Sequence, residues 1–480
     1  MSPRSGYPTK RPPRPRRDKV EKAAHEDVLR ALLQFPVLHQ WAEKFDHGPT
    51  VVGGRPVGHP AVVKLLFGVM AWEWGGLRGA HREIRTSTNW KIISDALRPL
   101  YPGWVCFERG GKPVTRFQYA RFRNEHCLDD ATFETLLMTA MIDAAQQAQG
   151  MGQLIEECGG SVSHPSPQRI ISGDGTVLRP RYTAVRGDRQ FNPDTGELEQ
   201  KRYDPDCGWY TTGDRQHVRG HSFVLLESRS DHEDERVLLS VRHQPVGHPG
   251  GEGAIAIDMI GRVRQHLPGL QGVTWDKALR GKHIDELYDM GLQPIVKVHK
   301  SGGGARSRRI GQHLVHGATT DAVEVFANAG AIGIRVVVAG EAHWVKCKQI
   351  KRAERPNRSG GSRWYATYRI PDAAPVPAGL RRGTFDVRLN GRTKTDPPRM
   401  NRSEVIRPVA ETDDEWRALY ARRPGSESTN AWFKARLPKG RSPAIGTRRN
   451  RFEMLCLQLF ANVRALIAYG RRLGHPAPPG

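Results

Sequence analysis

The order of apolar segments predicts an α/β protein: a mixed sheet interrupted by a β-rich insertion and preceded by a helical region. Three observations predict it. Apolar residues recur at helical spacing up to about residue 155; β-branched runs parted by turns follow between 165 and 300; and short strands separated by Gly and Pro fill 301–410.

Residues 1–22 are rich in Pro, Arg and Lys and cannot bury a core, so they read as a basic disordered arm. In the helical region, 23–155, Leu29, Leu32 and Leu33 recur at helical spacing, as do Val63, Leu66 and Val69. A third helix is predicted over 130–149, with Phe133, Leu137, Met141 and Ala144 on one face and Gly150 and Gly152 as stop signals. The basic residues Arg78, His81, Arg82 and Arg85 lie between these helices. A helical module bearing basic residues ahead of an α/β core suits a DNA-binding domain; a plain helical bundle fits the same pattern.

Between 165 and 300 the pattern changes. Residues 169–180 read as a strand or a hairpin, because Asp174-Gly175 is also a turn dipeptide. Strands are predicted at 220–228 and 236–246, then an amphipathic helix over 252–267 with Ile255, Met259, Val263 and Leu267 four apart. A short strand at 272–276, a helix at 283–291 and a strand at 294–300 complete the order. Three consecutive strands followed by alternating helix and strand predict a mixed sheet. A Gly-rich basic loop, 301–311, opens the β-rich insertion of 301–410, and the final block, 411–472, turns helical again.

Composition points to a polyanionic partner. Lys and Arg total 74 against 50 Asp and Glu, so the chain carries a net charge of +24. Most of that charge is Arg, whose planar fork grips phosphate bidentately. The six Cys are scattered without a CxxC pair, which argues against a zinc ribbon, a redox motif or a disulfide framework and for reduced thiols. The 19 His show neither an HExxH motif nor a tight cluster along the chain, so a zinc enzyme is disfavoured. No apolar segment follows the basic N-terminus, and the longest apolar run, around 62–72, is too short to span a bilayer and contains Lys64. The expectation is a soluble cytoplasmic protein with no membrane partner.

The sharpest motif lies near the C-terminus. Tyr420, Arg423, Glu427 and Lys434 form the pattern Y-(2)-R-(3)-E-(6)-K. On a helix, Glu427 and Lys434 are seven residues apart and share one face, with a rise of about 10 Å between them. A carboxylate and an ammonium so placed can serve a metal and a nearby phosphate together. This pattern resembles the signature of a large group of bacterial insertion-sequence DDE transposases. Two further motifs match that family in the expected order: Asp174-Gly175-Thr176 after Ile170 and Ile171, and Val273-Thr274-Trp275-Asp276 after the predicted helix. The resemblance covers roughly 165–470, is specific in these three acidic motifs, and finds no counterpart before 150.

The resemblance implies a ribonuclease-H-like core with Asp174 on its first strand, Asp276 at the end of its fourth and Glu427 on a helix. It also implies a β-rich domain in the long gap between Asp276 and Glu427. These three carboxylates would be both the catalytic and the metal-binding residues, an all-oxygen set suited to two Mg²⁺ or Mn²⁺ ions. Arg423 and Lys434 would clamp phosphates and Tyr420 would position a phosphate or base. The implied reaction is cleavage at the ends of an insertion sequence and strand transfer into target DNA. The partners would be double-stranded terminal repeats and target, bound by a homodimer in the bacterial cytoplasm at the nucleoid. Lys297, Lys300, Arg306, Arg308 and Arg309 are candidates for holding the DNA backbone. Glu404, Glu411 and Glu415 remain alternative third acids. Two rival functions share much of this pattern: a catalytically inactive, transposase-derived DNA-binding protein, and a ribonuclease-H-like nuclease without strand transfer.

Overall fold

The chain leads into its sheet through helices α1 (His25–Leu33), α2 (Pro36–Glu43), α3 (Ala61–Met70), α4 (Leu77–Glu83), α5 (Ser87–Leu97), α6 (Arg116–His126) and α7 (Asp130–Gly150). The computed structural model describes residues 25–474 apart from 47, 53–54, 109, 162–163, 212–215, 299–306, 317–321, 357–361 and 399. The predicted arm at 1–22, and Lys300 and Arg306, therefore lie outside the described residues. The apolar face expected on α7 is buried at Phe133, Leu137, Met141 and Ala144.

The central sheet consists of β1 (Ile170–Leu178), β2 (His217–Arg229), β3 (Arg236–Gln244), β4 (Gly272–Trp275) and β5 (Gln293–Val296). Its order is β5-β4-β1-β2-β3, with a short strand, Gly208–Thr211, pairing the start of β2. The pairs β5–β4 and β4–β1 are parallel, whereas β1–β2 and β2–β3 are antiparallel. The parallel pairs follow from the crossover helices: α8 (Gly251–Arg264) carries the chain from β3 past β1 and β2 to β4, and α9 (Gly281–Asp289) from β4 to β5. Asp174 and Gly175 sit within β1, opposite Leu225 and Val224, so of the strand and the hairpin the strand is formed. The hairpin of Arg189–Asn192 with Glu197–Gln200 was not foreseen, because its strands are polar and almost wholly exposed.

The insertion forms two antiparallel sheets. One comprises β6 (Ser307–Leu314), β7 (Ala322–Asn328), β8 (Ala331–Val338) and β9 (Glu341–Lys346); the other comprises β10 (Lys348–Pro356), β11 (Ser362–Arg369) and β12 (Thr384–Arg388). Both contribute to one core, in which Ile310, Val325, Ile334, Ala366 and Phe385 join Ile284 and Tyr288 of α9. Fully buried Arg407 fastens the exit of this insertion to the central sheet by donating to the Val296 carbonyl at 2.9 Å.

The chain then forms α10 (Asp414–Tyr420), α11 (Pro424–Lys434) and α12 (Thr447–Arg472). The last of these joins the N-terminal helices to the sheet. Its Phe452, Leu455, Leu459 and Phe460 share one core with Trp41, Leu66 and Phe67 and with Phe223 and Val241 of the sheet. Within it the Arg123 guanidinium pairs with buried Glu453, and Tyr119 donates to the same carboxylate at 3.0 Å. By length and composition α12 could cross a bilayer, but 72% of its apolar window is buried inside the protein, as in a core helix.

Asp143 on α7 supplies a test of this packing. Burial alone pushes its carboxyl up to about 6. Below about pH 4 both folded and unfolded chains hold the proton; between there and pH 6 only the folded chain does, so stability falls as pH rises through that window. Asp143→Asn is expected to stabilise the protein by roughly 2 kcal/mol at pH 8 and by almost nothing at pH 4. Thermal unfolding at the two pH values measures this, and an equal shift at both would show that charge burial is not the cause.

Candidate active site

The parallel pairing of β1 with β4 places two of the predicted acids side by side. Ser172 lies opposite Thr274, so Asp174 and Asp276, each two residues further on, lie side by side, Asp174 in the middle of β1 and Asp276 at the C-terminal end of β4. Asp276 follows the last residue of β4, where its Oδ1 accepts the Ala278 N–H at 2.6 Å. Open α/β sheets bind ligands at such strand ends.

Helix α11 brings the third acid. Pro424 starts the helix, and Glu427 lies in its first turn. Two contacts seat it on the sheet: Thr429 donates to buried Glu227 of β2 at 2.6 Å, and part-buried Arg236 of β3 donates to Thr429 Oγ1 at 2.7 Å. Buried Arg422 holds the approach to the helix by donating to the Ser230 carbonyl at 2.7 Å. In this docking Asn430 donates to Asp174 Oδ2 at 2.9 Å. Arg423 spans two of the acids: one nitrogen is 2.6 Å from Glu427 Oε1 and another 3.9 Å from Asp174 Oδ1.

The charges act on one another. The Asp174 carboxyl is pushed up to about 6, first by burial and against the pull of Arg423, with the neighbouring charges of Asp276 and Glu427 adding to the rise. The three groups are nevertheless more open than the sequence reading expected. Among the described residues, the one group of three His, Cys, Asp or Glu whose ligand atoms all lie within 4.8 Å is Asp204, Cys207 and His221. That group can hold a metal ion and shares no residue with the predicted triad. Arg423 accounts for part of the openness, since it pairs with Glu427 while that side chain remains 58% exposed.

A fourth carboxylate was missed. Glu252, in the first turn of α8, accepts the Trp275 indole N–H at 2.8 Å beside Asp276. Its carboxyl is pushed up to about 7, chiefly by burial and next by the charge of Asp276, with Asp174 contributing further. Gly175 makes room for it: a Cβ there would stand 2.2 Å from Glu252 Oε2. A strand-interior glycine marks a close approach, which is the one signal the sequence carried.

The other predicted residues divide. Lys434 is half-buried, and burial lowers its pKa while the charge of Asp174 pulls it back up. Tyr420 stacks on Trp416 with ring centroids 4.3 Å apart, and the Lys297 ammonium lies 5.3 Å from the Tyr420 centroid. Arg308 and Arg309 belong to β6 in the insertion, where Arg309 pairs with Glu324 at 2.6 Å. The alternative third acids are engaged elsewhere: Glu415 pairs with His164 at 3.0 Å, Glu411 accepts the Val298 N–H, and Glu404 lies beside Gly281. No family model matches this chain, and no curated protein matches it.

Proposed function

We propose that the chain is a DNA transposase of the DDE type, built on a ribonuclease-H-like core and acting on the ends of an insertion sequence. The observation that carries this reading is the register that sets Asp174 beside Asp276, with Arg423 bridging Asp174 to Glu427 on α11. The strand order supports it, since the first and fourth strands of the sheet are neighbours and bear the two Asp side by side.

The donor types suit Mg²⁺ or Mn²⁺. Four carboxylates supply hard oxygen donors, burial and then the neighbouring carboxylate charges raise Asp174 and Glu252, and the buried Asn430 Oδ1 has no hydrogen-bond partner. Asp174, Asp276 and Glu427 would hold two ions, with Glu252 alongside; bound there, the ions supply Lewis-acid activation of a phosphodiester. The chain's own residues do the rest. Asn430 fixes the Asp174 carboxylate, Trp275 fixes Glu252, and Arg423 and Lys434 offer positive charge to phosphates at the same site. Tyr420, backed by Trp416, presents a ring against which a base or sugar can rest. Strand transfer joins two element ends to one target, so the working complex on DNA is at least a dimer.

The deciding experiment supplies purified protein with Mg²⁺ or Mn²⁺ and a duplex carrying the inverted repeats that flank its coding region. Nicking at the repeat ends, followed by joining of a pre-cut end to target DNA, is the expected outcome. Cutting without joining would support the nuclease, and binding without cutting the inactive derivative. Lys434→Ala is expected to weaken end binding and to reduce the salt dependence, the slope of log K against log salt, by about 0.9, one phosphate contact. An unchanged slope would remove Lys434 from the DNA path.

A further inference from the structure

The geometry points to a second metal site, of zinc type, formed by Asp204, Cys207 and His221 on the flank of the sheet. Strand pairing creates it. Gly208 lies opposite Gly220, so the preceding Cys207 and the following His221 face each other across the ladder, and Asp204 returns from three residues earlier. His221 Nε2 is 2.9 Å from Asp204 Oδ2 and 3.3 Å from Cys207 Sγ, so one imidazole nitrogen meets both other donors. Asp204 and His221 are fully buried, and Cys207 partly so.

Donor chemistry selects the ion. A thiolate and an imidazole with one carboxylate suit Zn²⁺ rather than Mg²⁺, which prefers oxygen alone. A tetrahedral Zn²⁺ with ordinary bond lengths would set its ligand atoms about 3.3–3.6 Å apart, so these donors need to open by only a few tenths of an ångström. On binding, the Cys207 thiol gives its proton to solvent and the sulfur forms the metal bond. Three protein ligands leave a fourth position for water.

The site sits at a structural junction. Asp204 Oδ2 also accepts the Gly446 N–H at 3.1 Å, and Asp206 accepts the Thr447 N–H at 2.8 Å, so the same loop holds the start of α12. An ion here fastens that loop, β2 and α12 together. Arg181, Tyr182, Arg202 and Arg449 line a groove together with Ala444 and Ile445, which lead into α12.

The test uses full-length protein, stripped with a chelator and titrated with Co²⁺ in excess Mg²⁺. The expected result is one Co²⁺ per chain with thiolate-to-cobalt charge-transfer absorption, displaced by Zn²⁺, and a higher Tm with either ion. Cys207→Ser should abolish the band and His221→Gln should weaken binding by at least about tenfold. Cys158→Ser and Asp174→Asn should leave both unchanged, which separates this site from adventitious thiols and from the carboxylate site. A wild-type protein with no stoichiometric band, or a band that survives Cys207→Ser, overturns the proposal. The wild-type titration decides alone where a variant fails to fold.

Discussion

Asp174→Asn is expected to lower Mg²⁺-dependent strand cleavage by three orders of magnitude or more, on the order of 4 kcal/mol of lost transition-state stabilisation, while end binding stays within about twofold. The substitution is nearly isosteric, and the neutral amide retains a carbonyl oxygen for Asn430. What it removes is one negative charge in the middle of β1, beside the end of β4. The same charge is costly in the folded protein without a cation, because burial and the charges of Asp276 and Glu427 raise the Asp174 pKa. The variant should therefore be no less stable in metal-free buffer than the parent. Lost cleavage with an unchanged or higher Tm separates a chemical defect from a folding one. Asp276→Asn and Glu427→Gln should behave alike. If purified Asp174→Asn cut a repeat-bearing duplex at the parental rate, the site assignment would be wrong.

Glu252→Gln should reduce cleavage about 100-fold and raise the Mg²⁺ needed for half-maximal rate about tenfold, the scale seen when groups around a metal site are altered. Gly175→Ala should do nearly as much without touching any acid. Its Cβ would stand 2.2 Å from Glu252 Oε2, inside any real contact, so the carboxylate must leave its present position. Both changes act through one group, so the double variant should be little worse than the poorer single. Rates that multiply independently would show that Gly175 and Glu252 are not coupled. A Glu252→Gln protein with the parental metal requirement would remove Glu252 from the carboxylate set.

Much of the architecture was legible because it is local. The apolar stripe of α7, the β-branched runs of β2 and β3 and the Gly-parted strands of the insertion each announce their own period. The polar hairpin at 189–200 was not, since an exposed strand needs no apolar alternation. Candidate site residues followed the same division. Tyr420, Arg423, Glu427 and Lys434 were singled out by spacing, because they lie within one short stretch where a fixed pattern has meaning. Glu252 was passed over as one more acid at a helix start, a position that favours negative charge whatever the function. Asp204, Cys207 and His221 were passed over because they span two segments and match no common ligand spacing.

From its sequence alone the protein determined its element types, its cationic character and the three acidic motifs, since each depends on neighbours a few residues away or on composition. Tertiary structure alone decided which charges meet: the step that sets Asp174 beside Asp276, the room that Gly175 leaves for Glu252, and the grip of Arg423 on two acids. Electrostatic coupling depends on distance through space, and strand register and helix docking set that distance between residues far apart along the chain.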